Sequence, residues 1–351
     1  MSKDIRVSVF GRTDLGRTRD HNEDTFLVAD LNAPQVLPSL TVVEHVIGPR
    51  GSLFMVADGM GGAAAGEIAS SMAAQQIFDH LARVWSHDPD NSPEQFALRM
   101  REAVEHANTQ IHSYATEHPE VRGMGTTLTA AGVYEGQLYL AQVGDSRAYL
   151  IRNGGAFQLT KDQSFTQRLV DAGELTEEEA ETNARRNIIL QALGPDPRVR
   201  VVLSIQKLNR GDVLVVCSDG LTGLVRKAEI ASVVAGENDL TRVCETLISM
   251  ANERGGPDNI TVVAARFFGE GLPEPDSAEE EPQHTVLRLP GASSSSDDAL
   301  TPRPQVAPAI PPVPPAPAVR EAAEDNAAGN RAAVYGIAAL VLAAALWFLL
   351  R

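Results

Sequence analysis

The hydrophobic positions of the first 270 residues fall into short runs and stripes. Unbroken or alternating apolar runs predict strands, and apolar residues spaced three and four apart predict amphipathic helices. The predicted strands are 5–10, 25–29, 53–57, 126–133, 138–143, 148–152, 199–205, 213–218 and 260–268. The predicted helices are 68–84, 96–111 and 240–252, with a polar, partly helical stretch at 162–187 and a loop or long hairpin connection at 32–51. This order indicates an α+β domain with a largely antiparallel sheet core.

Three of the predicted strands carry an aspartate at one end. One run is followed by Asp58 and Gly59, a second by Asp219, and Asp258 stands just before the last strand. We expect the Asp58 carboxylate to project past the end of its strand. Gly59 has no Cβ and lets the main chain approach whatever that carboxylate binds. A turn or a strand cap would explain each aspartate alone, but the three together predict convergence on hard cations.

The composition of the chain limits the classes of partner that it can bind and the compartment that it suits. The formal net charge of −16 argues against binding to a nucleic-acid backbone. Hydrophobic residues make up 43% of the 351 residues, which is ample for a core. The two cysteines, Cys217 and Cys244, fit a reducing compartment without disulfides, and the N-terminus is polar and shows no secretory signal. Cys217 stands in an apolar run and is interpreted as a small buried hydrophobe.

The composition changes after residue 270. Residues 271–331 are rich in Pro and Ser and hold ten acids and four bases, which predicts a disordered, extended linker, with a polyproline docking site as the alternative. Residues 332–350 are nineteen residues without a charge, about 28 Å as a helix, which predicts a transmembrane helix. We therefore divide the chain into a folded domain at 1–270, a linker at 271–331 and a membrane anchor at 332–350.

The three aspartates have the chemistry that Mg²⁺ or Mn²⁺ requires. These cations prefer carboxylate and carbonyl oxygens, and the sequence has no Cys/His cluster with zinc spacing. Two such ions about 4 Å apart can activate a water and direct it at a phosphorus atom. Phosphoryl transfer also benefits from a fixed cation on the equatorial oxygens, and Arg19, close to Glu23 and Asp24, is the candidate.

Six motifs resemble, in the same order, those of metal-dependent protein phosphatases, the PPM or type-2C serine/threonine phosphatases. The motifs are Arg19-x-x-Asn22-Glu23-Asp24, Asp58-Gly59-Met60-Gly61-Gly62, Gly125-Thr126-Thr127, Gly144-Asp145-Ser146-Arg147, Ser218-Asp219-Gly220 and Asp258-Asn259. The resemblance covers roughly residues 5–268 and is strongest to bacterial members that carry a C-terminal membrane segment.

The resemblance implies a β-sandwich of two antiparallel sheets flanked by helices, with two Mn²⁺ or Mg²⁺ ions bound at one end. Asp58 would bridge both ions, and Gly59 would give its carbonyl oxygen to one of them. Asp219 and Asp258 would hold the other ion. Asp145, together with Asp219, matches a third and weaker metal site of bacterial members.

The same resemblance implies roles for the remaining motif residues. Glu23 and Asp24 would orient metal-bound waters, and Arg19 would bind the substrate phosphate. The residues that carry catalysis would then be Arg19, Asp58 and Asp219. Residues 162–187 would correspond to a mobile flap that influences substrate choice.

Three departures from the family pattern are visible. Met60 stands where many eukaryotic members have a histidine that serves as a presumed general acid. His21 is close in sequence, but we interpret it as a solvated loop histidine. The flap begins with Gln163 where the family usually has histidine, and Asn183-Ala184 replace a common His-Pro pair. The last two departures concern substrate preference rather than metal chemistry.

The function implied is hydrolysis of phosphoserine and phosphothreonine in proteins by a metal-activated water, without a phosphoenzyme. Family habit implies a bacterial Ser/Thr kinase as the opposing partner, a monomeric catalytic domain in the cytoplasm, and a single-pass anchor in the inner membrane. One alternative is a phosphatase of an anti-sigma-antagonist-type regulator, and another is a catalytically dead module that binds phosphoproteins. A third alternative is a soluble phosphatase whose tail helix packs on a partner.

Overall fold

Two antiparallel sheets pack face to face, and helices cover the outer face of each sheet. The computed structural model describes residues 4–38, 41–61, 65–274, 282 and 284–287. The strands are β1 (Arg6–Asp14), β2 (Asp24–Asp30), β3 (Gln35–Val36), β4 (Val43–Val46), β5 (Ser52–Met60), β6 (Gly125–Thr126), β7 (Leu128–Tyr134), β8 (Gln137–Val143), β9 (Arg147–Arg152), β10 (Gly155–Gln158), β11 (Val202–Lys207), β12 (Val213–Cys217), β13 (Ile260–Phe268) and β14 (Thr285–Val286). The α-helices are α1 (Ala65–Arg83), α2 (Pro93–Glu117), α3 (Phe165–Asp171), α4 (Glu177–Thr182), α5 (Asp219–Thr222), α6 (Lys227–Gly236) and α7 (Leu240–Glu253).

The strand order places sequence-distant strands side by side. One sheet has the order β10-β9-β12-β13-β1-β4, and the other has the order β14-β11-β8-β7-β5-β2-β3, with β6 paired to β5. Every strand pair among the described residues is antiparallel. The first sheet therefore joins β12 and β13 to β1, and the second joins β5 to β2.

Three hydrophobic clusters form the core between the two sheets and between each sheet and the helices that cover it. The inter-sheet cluster includes Phe54, Val56, Leu214 and Val263. A second cluster lies under α1 and α2, and a third under α6 and α7. Because both faces of each sheet are covered, central strands such as β5 are buried almost throughout instead of alternating between buried and exposed.

Side-chain alternation along β5 explains how a polar site joins this core. Leu53, Met55 and Ala57 face the helices, whereas Phe54 and Val56 face the other sheet. Since the side-chain period of a strand is two, Asp58 continues the inter-sheet row. One end of the space between the sheets is therefore lined by an acidic side chain instead of by apolar side chains.

The structure confirms the α+β prediction and the two antiparallel sheets. It also shows elements that the sequence analysis missed, among them α6 and the short edge strands β3, β4 and β10. The prediction that Asp58 lies past the end of its strand is wrong, because β5 continues to Met60 and Asp58 remains paired within the sheet.

The described structure continues beyond the predicted domain end at residue 270. Ser204 and Ile205 of β11 pair with β14, and the Leu287 N–H donates to the Leu203 carbonyl at 2.9 Å. This part of the predicted linker is therefore a sheet edge. No helix within the described ranges is both long and apolar enough to cross a bilayer, and the predicted anchor at 332–350 lies outside those ranges.

Candidate active site

Asp24 and Asp58 face each other across neighbouring strands. They are directly opposite partners in the antiparallel pairing of β2 with β5. Directly opposed side chains on one face of such a pair are about 5 Å apart at Cβ. The main chain of Asp58 is fixed by the next strand pair, because its carbonyl accepts from the Thr127 N–H at 2.8 Å and from the Thr126 hydroxyl at 2.9 Å. Backbone register thus places the two carboxylates beside each other.

The other sheet contributes further aspartates to the same end of the sandwich. Asp219 opens the one-turn helix α5 directly after β12, and Asp258 precedes β13. Asp145 lies in the turn between β8 and β9, where Gly144 has φ of 101°. A Cβ at Gly144 would meet the Thr127 side chain at 2.8 Å, so this close approach requires glycine. The aspartates predicted from distant sequence positions are therefore neighbours.

Burial divides these acids into a floor and a rim. Asp24 and Asp145 are only 8% and 6% exposed. Glu23, Asp58, Asp219 and Asp258 are partly exposed. The buried and the partly exposed carboxylates therefore form one cluster that solvent reaches at its rim, and we call this cluster the carboxylate depression.

Glu23 and Gly59 are held by tight main-chain packing. The Gly59 N–H donates to the Glu23 carbonyl at 3.1 Å, and a Cβ on Gly59 would meet the Gly66 carbonyl oxygen at 2.2 Å. The Asn259 side chain accepts from the Glu23 N–H at 2.8 Å and donates to the His21 carbonyl at 3.0 Å. Glycine at position 59 is therefore a steric requirement of packing against the main chain of Gly66 and Glu23, whereas the sequence analysis predicted close approach to a bound group, which stays a prediction.

Hydroxyl groups fix one oxygen of Asp24. Its Oδ2 accepts from the Ser218 hydroxyl at 2.8 Å and from the Thr261 hydroxyl at 2.6 Å. The Thr261 hydroxyl also lies 2.7 Å from that of Thr13. Asp24 therefore has one oxygen anchored to the other sheet, while its Oδ1 is buried and has no hydrogen-bond partner.

Mutual repulsion and burial raise the pKa values of the clustered acids. Burial, followed by the charges of Asp24 and Asp219, raises the pKa of Asp58 well above its usual range. Burial raises the pKa of Asp24 to about 7, although hydrogen bonds from Thr261 and Ser218 act in the opposite direction. Burial and the Asp219 charge raise the pKa of Asp145 to about 8. Without a cation, Asp24 and Asp145 would therefore be partly protonated near neutral pH.

The donor set fits hard divalent cations. Glu23 Oε1, Asp24 Oδ1 and Asp145 Oδ1 are buried oxygens without a hydrogen-bond partner. A cation would satisfy such oxygens and cancel their repulsion. Within the described residues, no three His, Cys, Asp or Glu side chains form a group that could hold an ion alone, so main-chain oxygen and water must complete any coordination shell. Mg²⁺ commonly binds in this way, through few carboxylates and several waters.

Arg19 is the cation at the rim of the depression. Its guanidinium donates to Asp258 Oδ2 at 2.8 Å and lies 4.0 Å from Glu23 Oε2. The side chain is 46% exposed, so part of its donor fork faces solvent. Arginine in this position can bind a phosphate through two parallel hydrogen bonds.

The departures from the family pattern have defined positions. Met60 pairs with Gly125 at the end of β5, and His21 is exposed, as predicted for a loop histidine. Gln163 spans the base of the flap: its Oε1 accepts from the Gly144 N–H at 2.9 Å, and its own N–H donates to the Gly144 carbonyl at 2.9 Å. Gln163 therefore joins the flap to the turn that carries Asp145.

The sequence analysis named Ser218, Thr127 and Asn259 only as motif members, without an orienting role, and it missed Thr261. Ser218, Thr261 and Thr127 bind Asp24 or the Asp58 main chain, and Asn259 holds the loop before β2. One signal was available in the sequence. A threonine at position 261 follows the same alternation as inward-facing Val263, so it is a polar residue at a position that the pattern predicts to be buried.

The fold and the site together define a class of phosphate-ester hydrolases in which a helix-flanked β-sandwich gathers carboxylates at one end. The family model "Protein phosphatase 2C" matches residues 42–261. The serine/threonine phosphatase stp of Listeria welshimeri is 36% identical over 253 residues, which are 72% of this chain and 92% of that protein. The chain therefore belongs to the protein phosphatase 2C family.

Solved structures agree with this assignment. The S. agalactiae serine/threonine phosphatase superposes with a TM-score of 0.65 at 35% identity, over 74% of this chain and 99% of that chain. The catalytic domain of serine/threonine protein phosphatase PstP, solved in complex with two manganese ions, gives a TM-score of 0.61 at 32% identity, over 75% and 99% of the two chains.

Proposed function

We propose that the chain is a metal-dependent protein phosphatase that hydrolyses phosphoserine and phosphothreonine. The observation that carries this proposal is the depression lined by Asp24, Asp58, Asp145 and Asp219. Asp24 and Asp145 each have a buried oxygen without a hydrogen-bond partner, and the half-exposed Arg19 lies at the rim beside Asp258 and Glu23. The family and its serine/threonine phosphatase relatives support the same activity. The relative solved with two manganese ions supports Mn²⁺ or Mg²⁺ as the cofactor.

Each residue has a role in this proposal. Asp58 would hold both ions, Gly59 would give its carbonyl oxygen to one, and Asp219 and Asp258 would hold the other. Asp145 with Asp219 would form a third, weaker site. Bound there, the ions supply an activated water and neutralise charge on the phosphate.

The remaining residues position the substrate and solvent. Glu23 at the rim and Asp24 at the floor would accept hydrogen bonds from water in the depression. Arg19 leaves Asp258 in part and donates to two phosphate oxygens, which orients the phosphorus for in-line attack. Met60 cannot donate a proton, so protonation of the leaving group falls to a solvent molecule or to another group.

Turnover of two substrates by the full-length protein tests the activity. The substrates are p-nitrophenyl phosphate and a phosphothreonine peptide, each with Mn²⁺, with Mg²⁺ and with EDTA. We expect metal-dependent turnover, and we expect Asp219→Asn to lower kcat/KM by about 100-fold or more because a ligand charge is lost. Asp79→Asn on α1, remote from the site, is the matched control and should behave as wild type. A folded wild-type protein without turnover in any divalent ion would favour a phosphoprotein-binding module.

We further propose that the phosphatase is anchored in a bacterial inner membrane through residues 332–350, with its catalytic domain in the cytoplasm. The nineteen uncharged residues between Arg331 and Arg351 support this proposal. Anchoring would raise the local concentration of membrane-bound phosphoproteins such as Ser/Thr kinases. Fractionation tests it: release by detergent but not by high salt is expected, and a chain ending at residue 331 should be soluble. Release by salt would favour a tail helix that packs on a partner.

Identifying the physiological substrate distinguishes a phosphatase that opposes a Ser/Thr kinase from the remaining alternative, a phosphatase of a single regulator. Phosphoprotein profiles of cells with and without the Asp219→Asn variant would show either many kinase substrates or one anti-sigma-antagonist-type regulator. Opposition to a Ser/Thr kinase predicts many substrates.

A further inference from the structure

The segment from Arg185 to Arg200 is basic in an acidic protein. It holds four arginines and one aspartate, a net charge of +3, in a chain with a formal charge of −16. Arg185, Arg186, Arg198 and Arg200 are all exposed. Among the ion pairs of the described residues, none involves these four side chains, although the Arg185 guanidinium lies 5.8 Å from the Phe165 ring centroid. We call residues 185–200 the basic segment.

Hydrogen bonds place the basic segment beside the carboxylate depression. Near its start, the Ile188 carbonyl accepts from the Phe165 N–H at 2.8 Å. Further along, Leu193 exchanges two main-chain hydrogen bonds with Thr126, whose hydroxyl donates to the Asp58 carbonyl at 2.9 Å. The middle of the segment is therefore one residue away from the main chain of Asp58.

The part of the basic segment that carries Arg198 and Arg200 is held in a defined loop. The Arg200 N–H donates to Gln191 Oε1 at 2.9 Å, which closes the loop between these residues. The buried Asn108 side chain of α2 fixes this loop by accepting from the Gly194 N–H at 2.8 Å and donating to the Asp196 carbonyl at 3.0 Å. The two arginine pairs thus flank a stretch that hydrogen bonds and two isolated β-bridges hold in place, and exposed Ile188 lies within the segment.

The charge distribution favours one kind of partner. The depression is acidic apart from Arg19, and the rest of the chain is strongly negative, so an acidic phosphoprotein would be repelled over most of the surface. Unpaired arginines bind carboxylates well, and exposed charges act over a Debye length of about 10 Å. That range covers a few residues on either side of a bound phosphoresidue.

We propose that the basic segment binds acidic residues that flank the phosphoserine or phosphothreonine, and so selects phosphoprotein substrates with Asp- or Glu-rich sites. This inference rests on the proposed phosphatase function and adds a sequence preference to it. The arginines contribute to substrate binding and to the rate of encounter, not to the chemical step. Their effect therefore falls on KM and weakens as salt is added.

Three phosphothreonine peptides of equal length test the proposal, with acidic, neutral amide or lysine residues around the phosphothreonine. The full-length protein in mild detergent should turn over the acidic peptide with a kcat/KM about tenfold above the neutral one at low salt, mostly through KM. Arg185→Gln/Arg186→Gln and Arg198→Gln/Arg200→Gln should each reduce this preference. Hydrolysis of p-nitrophenyl phosphate should not change, and replacement of the same arginines by lysine should restore most of the preference.

A matched control has the same change in charge at a distance. Arg83 ends α1, about 27 Å along the helix from Ala65, and Lys207 ends β11 at the end opposite the site. Arg83→Gln/Lys207→Gln should retain the acidic preference. Equal use of the three peptides by wild type, or a preference that the arginine variants retain, would overturn the proposal. So would binding to anionic vesicles that these variants lose while peptide use stays equal, since that result assigns the arginines to a lipid surface.

The experiments distinguish a failure of the preference for acidic sites from a failure of the proposed phosphatase activity. If wild type hydrolyses neither p-nitrophenyl phosphate nor any peptide, the phosphatase proposal fails. Fluorescence anisotropy with the same labelled phosphopeptides then measures recognition alone. Tighter binding of the acidic peptide that the arginine variants lose would still support the basic segment, and equal binding would reject it.

Discussion

At the scale of single residues, the hydroxyl groups around Asp24 are the least expected part of the site. Ser218 and Thr261 both donate to the same carboxylate oxygen, at 2.8 and 2.6 Å. Oδ1, the other oxygen of Asp24, is buried and has no hydrogen-bond partner. Groups that orient the carboxylates around a metal site commonly matter nearly as much as the metal ligands themselves.

Thr261→Val tests this role, because it keeps the shape of the side chain and removes the hydroxyl. We expect Mn²⁺ affinity to fall by about 10- to 100-fold, with much of the activity recovered at high metal concentration. Isothermal titration calorimetry and kcat as a function of Mn²⁺ measure the two effects. Thr261→Ser retains the donor and should stay close to wild type. Unchanged Mn²⁺ affinity in the valine variant would contradict the role.

At the scale of elements, the site depends on how closely α1 approaches β5. Gly59 has no space for a Cβ, because the Gly66 and Glu23 carbonyl oxygens would lie 2.2 and 2.5 Å from it. Both obstacles are main chain, so they cannot move without shifting the start of the helix or the strand. The glycine after Asp58 is thus a packing requirement between two elements, in addition to any role of its carbonyl oxygen.

Gly59→Ala should therefore destabilise the fold. We expect a loss of about 1–3 kcal/mol in the free energy of unfolding, since overpacking displaces main chain. Urea unfolding in EDTA measures it without a contribution from bound metal. Gly236→Ala, at the end of α6, is the matched control: no atom lies within 4 Å of the added Cβ, and the change should be neutral or slightly stabilising. Equal stabilities of the two variants would refute the packing argument.

At the scale of the whole molecule, clustering of the acids links metal binding, pH and stability. The pKa of Asp24 is raised to about 7 and that of Asp145 to about 8. An unfolded aspartate has a pKa of about 3.9. Between these values the folded chain binds more protons than the unfolded chain, so without metal its stability falls as pH rises from about 4 to about 8. A bound cation competes with those protons and restores stability at the upper end.

The difference in Tm between Mn²⁺ and EDTA should therefore widen as pH increases from about 6 to about 8. Differential scanning calorimetry of the full-length protein at matched ionic strength measures it. The Asp24→Asn variant should show a smaller slope in EDTA, because one titrating group has been removed. A difference in Tm that is constant across this pH range would argue against coupling between the acids and the metal.

Local sequence patterns predict most of the strands, the long helices and several of the site residues. Each apolar run that ended in an acid, and each helical stripe, could be read from neighbouring residues, because the periods of strands and helices are local properties of the chain. The motif residues Asp58, Asp219 and Asp258 were found in the same way. Short elements such as β3, β4 and β10 escaped this approach, since two to four residues are too few to show a period.

The sequence by itself determined which residues are acidic, where strands and long helices lie, and which family the motifs resemble. Only the tertiary structure decided that Asp24 lies opposite Asp58, that Thr261 of one sheet holds Asp24 of the other, and that the basic segment reaches Thr126. These contacts join residues 34 to 237 positions apart in the chain. Register between strands and the packing of layers depend on the whole core, so no local pattern of residues can specify them.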